Sequence, residues 1–86
     1  MHYRNGREAK NGDRIVFLGY NDGVIVFVGT LRDAIVGNDY CNGLIQLGQE
    51  PMGSDPSACI CDCLHVDDVA EILAKYDLDK RPEGMR

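Results

Sequence analysis

The chain has 86 residues and a formal net charge of −5 at pH 7, with 44% hydrophobic and 27% charged residues. This length accommodates one domain, and the composition is ordinary for a folded globular protein, which excludes wholesale disorder. No apolar stretch approaches the roughly 20 residues of a membrane-spanning helix, and the opening residues lack the apolar core of a secretory signal, so we expect a cytosolic protein.

Runs of β-branched and aromatic residues, separated by loops rich in glycine, asparagine and proline, predict four β-strands. They cover residues 14–18, 24–28, 44–47 and 58–64. We expect the second strand to continue to about residue 34 and to form an antiparallel hairpin with the first across the turn Asp22-Gly23. Gly29 within that strand predicts a bend or a bulge.

A C-terminal helix is predicted to end near Tyr76. Asp67 or Asp68 is expected to cap its start, because carboxylates accept hydrogen bonds from the unpaired N–H groups there. Apolar residues at helical spacing form one stripe. Its members are Val66, Val69, Ile72, Leu73 and Tyr76. Residues 79–86 are polar, so we expect a single domain at residues 1–78 followed by a flexible tail.

Short strands in meander order followed by a helix predict a mainly β fold, an SH3-like small barrel of four to five antiparallel strands with a C-terminal α-helix. Residues 15–18 and 24–28 are apolar at consecutive positions, so the outer face of their hairpin needs a cover. Either the terminal helix or a second copy of the chain supplies it. We favour a homodimer or higher oligomer, because small chains often gain stability by association.

The motif Cys59-x-Cys61-x-Cys63-x-His65 is the most distinctive feature of the sequence. Cysteine and histidine side chains are zinc ligands, and a period of two places all four on one face of a strand. Alternate residues of a straight strand lie about 7 Å apart, whereas thiolates that share a zinc ion lie within about 4 Å of one another. A zinc site would therefore need a bend, or Cys41 arriving from another loop. We interpret the four cysteines as small buried thiols in a reducing compartment, with zinc as the alternative.

Motifs for catalysis are absent from the sequence. A Cys63–His65 nucleophile pair lacks a nucleophile elbow or an oxyanion-hole sequence. Phosphate-binding loops, dinucleotide fingerprints and EF-hand loops are missing as well. We therefore expect a protein that is not an enzyme and that holds no metal or cofactor.

Loop residues that combine aromatic rings with hydrogen-bond donors are the candidate ligand-binding residues. They are Tyr20, Arg32, Tyr40, Asn42 and Arg4. Small barrels usually bind through loops at one rim, and an aromatic ring beside an arginine can stack a base or hold a phosphate. The alternative is that these are ordinary surface residues.

Charge is unevenly distributed along the chain. Residues 1–14 carry four basic against two acidic residues, a local +2, and residues 62–79 carry six acidic residues against one lysine, a local −5. The basic segment supports nucleic-acid binding through Arg4, Arg7, Lys10 and Arg14, but the global charge opposes it. The acidic segment is interpreted as a solvated face, with mimicry of nucleic acid as the alternative.

The opening residues 3–13, Tyr-Arg-Asn-Gly-Arg-Glu-Ala-Lys-Asn-Gly-Asp, resemble a recurrent family of small phage and prophage proteins with SH3-like, KOW-type barrels. Residues 41–45 and 64–68 are similar to family positions where the last strand passes into an aspartate-capped turn or helix, so the resemblance covers most of residues 3–69. It implies a phage accessory protein acting in the host cytoplasm and no catalytic residue. Residues 59–63 and the long helix depart from the family pattern.

The favoured hypothesis is a non-enzymatic accessory protein that antagonises a host process, such as defence, by binding. It would sequester a small nucleotide-like molecule or occlude a host protein, and it would associate with itself. The alternatives are a nucleic-acid-binding KOW-like barrel, a small zinc-binding protein and a structural component of a virion. We expect neither nucleic acid nor a membrane as a partner.

Overall fold

The computed structural model describes residues 1–19, 25–35, 42–82 and 84. Within these residues the chain forms five strands, one turn of 3₁₀ helix and one α-helix. They are β1 (Arg14–Phe17), β2 (Phe27–Arg32), β3 (Asn42–Gln46), β4 (Ser57–Cys59), the 3₁₀ turn (Ile60–Asp62), β5 (Cys63–His65) and α1 (Val66–Lys75). All strand pairs are antiparallel and build one open sheet in the order β4-β3-β2-β1-β5. The prediction of a mainly β fold with four to five antiparallel strands and a C-terminal helix is confirmed.

The predicted turn Asp22-Gly23 lies outside the described residues, and β2 begins at Phe27, so residues 25 and 26 of the predicted second strand are not part of it. β1 and β2 nevertheless pair as the predicted antiparallel hairpin, with a continuous register from Arg14 opposite Thr30 to Phe17 opposite Phe27. The expected bulge at Gly29 is therefore wrong for this ladder. A Cβ atom added to Gly29 would lie 2.7 Å from the backbone oxygen of Gln46 on β3. Glycine is required here because a neighbouring backbone approaches closely.

The predicted fourth strand, residues 58–64, is wrong as one element, because the 3₁₀ turn divides it into β4 and β5. β4 pairs with β3 at one edge of the sheet, and β5 pairs with β1 at the other. The core takes Ala58, Ile60 and Cys63. That spacing cannot lie on one face of a straight strand, whose side chains alternate between faces.

The core lies on one face of the sheet and includes the N-terminal segment. Its buried members are Tyr3, Ala9, Ile15, Phe17, Leu31, Ala34, Ile45, Ala58, Ile60 and Cys63. Tyr3 is 2% exposed, and its hydroxyl donates to Asp13 Oδ2 at 2.6 Å. Burial, followed by this hydrogen bond, raises the pKa of Tyr3 above its ordinary value. The polar N-terminal segment thus contributes Tyr3 and Ala9 to the core.

Helix α1 begins at Val66, two residues earlier than a cap at Asp67 would allow. The cap is His65, whose Nδ1 accepts a hydrogen bond from the backbone N–H of Asp67 at 3.0 Å. The predicted cap at Asp67 or Asp68 is wrong, and both lie in the first turn, where carboxylates suit the helix dipole. No residue of α1 is buried, and every residue from Ala70 onward in the helix is exposed.

The outer face of the sheet is covered at β1 and open at β2. Val16 points away from the core and is nevertheless 4% exposed, whereas Val28, directly opposite it on β2, is 39% exposed. Helix α1 packs against β5 and β1. The terminal helix therefore supplies part of the expected cover and leaves the β2 side uncovered.

Candidate functional site

Of the residues predicted to bind a ligand, the three that the structure describes lie in different elements. Arg32 lies at the end of β2, Asn42 begins β3 and Arg4 lies in the N-terminal segment. Tyr20 and Tyr40 lie outside the described residues. Arg32 contacts the loop at residues 52–55, whereas Arg4 contacts the 3₁₀ turn.

Arg32 borders an open cleft of about 630 Å³ between the Asn11 loop and the end of β2. Its guanidinium is already engaged: Nε and Nη2 donate to Asp55 Oδ2 at 3.1 and 2.9 Å, and Nη2 donates to the Met52 carbonyl at 3.1 Å. Asp33 accepts from Nη1. An anionic ligand in the cleft would have to compete with these two carboxylates and a carbonyl for the guanidinium.

Asp55 is the anchor of this arrangement. Its side chain is 4% exposed and also accepts from the backbone N–H of Met52 at 3.0 Å. The Met52 hydrogen bond, followed by that from Arg32, holds the pKa of Asp55 below its usual value. Arg32 therefore clamps the 52–55 loop to β2.

The basic N-terminal segment is held against the acidic start of α1. Arg7 Nη1 donates to Asp68 Oδ1 at 3.0 Å, and Asn5 Nδ2 donates to Asp68 Oδ2 at 2.9 Å. Arg4 Nη2 pairs with Asp62 Oδ1 at 3.0 Å. The two oppositely charged segments of the sequence are thus in contact, and Arg4 and Arg7 offset part of the acidic charge. Their complementary local charges were the only sequence signal for this contact.

The three cysteines of the motif differ in environment. Cys59 is partly exposed, Cys61 is exposed and Cys63 is buried. Burial, followed by the nearby Asp62 charge, raises the pKa of the Cys63 thiol to about 12. The interpretation of buried thiols therefore holds for Cys63 and fails for Cys61, because the 3₁₀ turn directs these side chains differently. Cys41 lies outside the described residues.

The zinc alternative receives no support from the part of the chain that the structure describes. There, no three or more His, Cys, Asp or Glu side chains are grouped so that they could hold a metal ion. The Sγ atoms of Cys59 and Cys61 lie 2.9 Å apart. This separation is shorter than the roughly 4 Å expected for two thiolates on one zinc ion.

The apolar stripe of α1 is largely uncovered in the part of the chain that the structure describes. Ile72 is 50% exposed, Leu73 39% and Tyr76 65%, although all three lie on one face of the helix. Val66 and Val69, nearer the sheet, are partly buried. The stripe, defined as the residues Val66, Val69, Ile72, Leu73 and Tyr76, therefore emerges from the sheet and continues into solvent.

Among the described residues, no helix is long and apolar enough to cross a membrane. The chain matches no protein-family model, no curated protein and no solved structure.

Proposed function

We propose that this protein is a non-enzymatic binding protein that associates with itself through the stripe of α1 and acts by occluding the surface of another protein. The observation that carries this proposal is the exposed stripe on a helix without a single buried residue. A helix of this amphipathic pattern gains most of its stability from covering its apolar face. The second copy of the chain is the occupant that we assign to it.

The size of the exposed surface supports self-association. The accessible surface is 6204 Å², whereas a compact monomer of 9.5 kDa exposes about 5,000 Å². The excess of roughly 1,200 Å² exceeds the roughly 800 Å² that each partner buries in a standard interface. The chain therefore exposes more surface than a compact monomer of its mass, which is the direction that association would correct.

The strand arrangement supports an SH3-like small barrel as the scaffold of this binding protein. β1 pairs with β2 on one side and β5 on the other, and the 3₁₀ turn joins the two edge strands directly. A sheet whose two edges are consecutive in the chain must curl to bring them together. Curling of this kind is how small barrels reduce exposed edges.

The engagement of the arginines favours a protein partner over a nucleotide. Phosphate groups require converging cations with available donors. Arg32 is bound to Asp55, Asp33 and a carbonyl, and Arg4 is bound to Asp62. Sequestration of a nucleotide-like molecule would break these contacts.

The same pairing weighs against the nucleic-acid alternative. Arg4 and Arg7 face carboxylates at Asp62 and Asp68. Binding to phosphates would require both arginines to exchange these partners, and the net charge of −5 would oppose the approach. A protein surface is therefore the better target.

The biological setting of the proposal comes from the resemblance of the opening segment alone. That resemblance implies a phage accessory protein in the host cytoplasm, and the proposed act of occlusion would antagonise a host process such as defence. The only property assigned to the host protein is a surface that binds a small acidic protein.

Replacement of stripe residues tests where self-association occurs. Ile72→Lys should dissociate the dimer at concentrations where the unmodified chain is dimeric, because a charge would be placed in an apolar interface. Light scattering coupled to size-exclusion chromatography measures the mass. Ile72 is half exposed, and lysine favours helix, so the fold of the single chain should persist, as checked by circular dichroism.

Glu71→Gln is the matched control. It raises the net charge by one, as Ile72→Lys does, but Glu71 lies on the helix face opposite the stripe. It should leave the mass unchanged. A dimer that survives Ile72→Lys, or one that dissociates equally in Glu71→Gln, would remove the stripe from the proposal.

A further inference from the structure

Two thiols meet at the turn between the edge strands. Cys59 Sγ and Cys61 Sγ lie 2.9 Å apart, within about 1 Å of the 2.05 Å length of a disulfide bond. The pair belongs to neither the stripe nor the Arg32 cleft. Its separation suits bond formation between the two sulfurs better than shared coordination of a metal ion.

The backbone at this position brings the sulfurs together. On a straight strand alternate side chains would lie about 7 Å apart, whereas a disulfide needs Cβ atoms about 4 Å apart. Cys59 is extended, with φ −74° and ψ 129°, and the 3₁₀ turn starts at the next residue. Because a 3₁₀ turn advances only about 2.0 Å per residue, it shortens the span from Cys59 to Cys61.

Neighbouring contacts fix this geometry. The side chain of Ile60, between the two cysteines, is fully buried in the core. Arg4 Nε donates to the Cys61 carbonyl at 3.2 Å, and its Nη2 pairs with Asp62. Both sides of Cys61 are therefore anchored, which keeps its sulfur beside that of Cys59.

We infer that Cys59 and Cys61 form a dithiol site that reacts with small-molecule disulfides and closes to an intramolecular disulfide. The exposed Cys61 thiol, as thiolate, attacks one sulfur of the small disulfide, forms a mixed disulfide and releases one small thiol. Cys59, as thiolate, then attacks the Cys61 sulfur and releases the second small thiol. The small disulfide gains two electrons and two protons, and the protein loses two of each.

Cys63 is excluded from the reaction by its surroundings. It is 1% exposed, and its thiol donates to the Cys59 carbonyl at 3.6 Å. With its pKa raised to about 12, it stays a protonated thiol near neutral pH and is a poor nucleophile. The site therefore contains one accessible thiol and one adjacent resolving thiol.

The test treats the reduced, folded protein with glutathione disulfide, blocks remaining thiols by alkylation and cleaves the chain before aspartates. Cleavage places Cys59 and Cys61 together in residues 55–61, Cys63 in residues 62–66 and Cys41 in residues 39–54. Mass spectrometry should find residues 55–61 lighter by two hydrogens and unalkylated, with Cys63 alkylated. Alkylation of both Cys59 and Cys61, or a lasting glutathione adduct in residues 55–61, would overturn the inference.

Three variants assign the roles. Cys59→Ser should accumulate a stable glutathione adduct at Cys61, because the resolving thiol is lost. Cys61→Ser should abolish the intramolecular disulfide. Cys41→Ser should react as the unmodified chain does, and a loss of the 55–61 disulfide in this variant would contradict the assignment.

Discussion

Asp68 links the first turn of helix α1 to the N-terminal segment. Asn5 and Arg7 bind its two carboxylate oxygens, and its side chain is 18% exposed. The hydrogen bond from Asn5, followed by that from Arg7, lowers the pKa of Asp68. The polar N-terminal segment is therefore attached to the helix through one carboxylate.

Protonation of Asp68 should weaken this attachment. A carboxylate whose pKa is lowered by folding stabilises the protein above its ordinary pKa of about 3.9, and that contribution is lost as the pH falls through the folded pKa. Asp68→Asn should lower the melting temperature at pH 7, and its difference from the unmodified chain should shrink below about pH 4. Thermal denaturation followed by circular dichroism measures both.

Asp67→Asn is the control for Asp68→Asn, because Asp67 is 71% exposed and its oxygen lies 3.8 Å from Arg7. It should change the melting temperature little at either pH, since exposed ion pairs contribute little. A deficit of Asp68→Asn that is the same at pH 7 and at pH 3 would contradict the proposed role of the charge.

Arg32 should act as a structural residue. Arg32→Ala should lower the melting temperature, because it leaves the nearly buried Asp55 carboxylate without its cation. Asp33→Asn, at an exposed partner of the same arginine, should have a much smaller effect. An Arg32→Ala variant of unchanged stability that lost affinity for a nucleotide would instead make Arg32 a ligand-binding residue.

At the scale of the element, the sequence predicted the features that depend on local pattern. β1 and its hairpin followed from β-branched runs, and α1 followed from apolar residues at helical spacing. The division of residues 58–64 could not be predicted, because the alternation of Cys59, Cys61 and Cys63 is typical of a strand. Ile60 and Cys63 are both buried because β4 and β5 pair at opposite edges of the sheet, and that pairing is a property of the folded chain.

Gly29 shows how a strand position is fixed by its neighbours. Gly29→Ala should destabilise the fold by about 1–3 kcal/mol, because the added methyl group would overlap the β3 backbone at Gln46. Urea denaturation measures the change. Gly48→Ala is the control, since a Cβ atom there meets open space and should cost little. Equal stability of the two variants would contradict the close packing of β2 on β3.

At the scale of the whole molecule, the chain is extended for its length. Its radius of gyration is 14.3 Å, compared with about 12 Å for a compact domain of this size, and its longest dimension is 49 Å. The stripe of α1 was visible in the sequence. Its exposure was not, because that depends on the direction in which α1 leaves β5, and only the folded sheet sets that direction.

Sedimentation equilibrium of the unmodified chain, across a wide range of concentrations, tests self-association most directly. We expect the mass to rise from that of one 9.5 kDa chain to that of a dimer as concentration increases. A dimer would establish self-association, and Ile72→Lys would then test whether the stripe is its interface. A single-chain mass at every concentration would contradict the account, because the exposed stripe would then have no second copy to cover it.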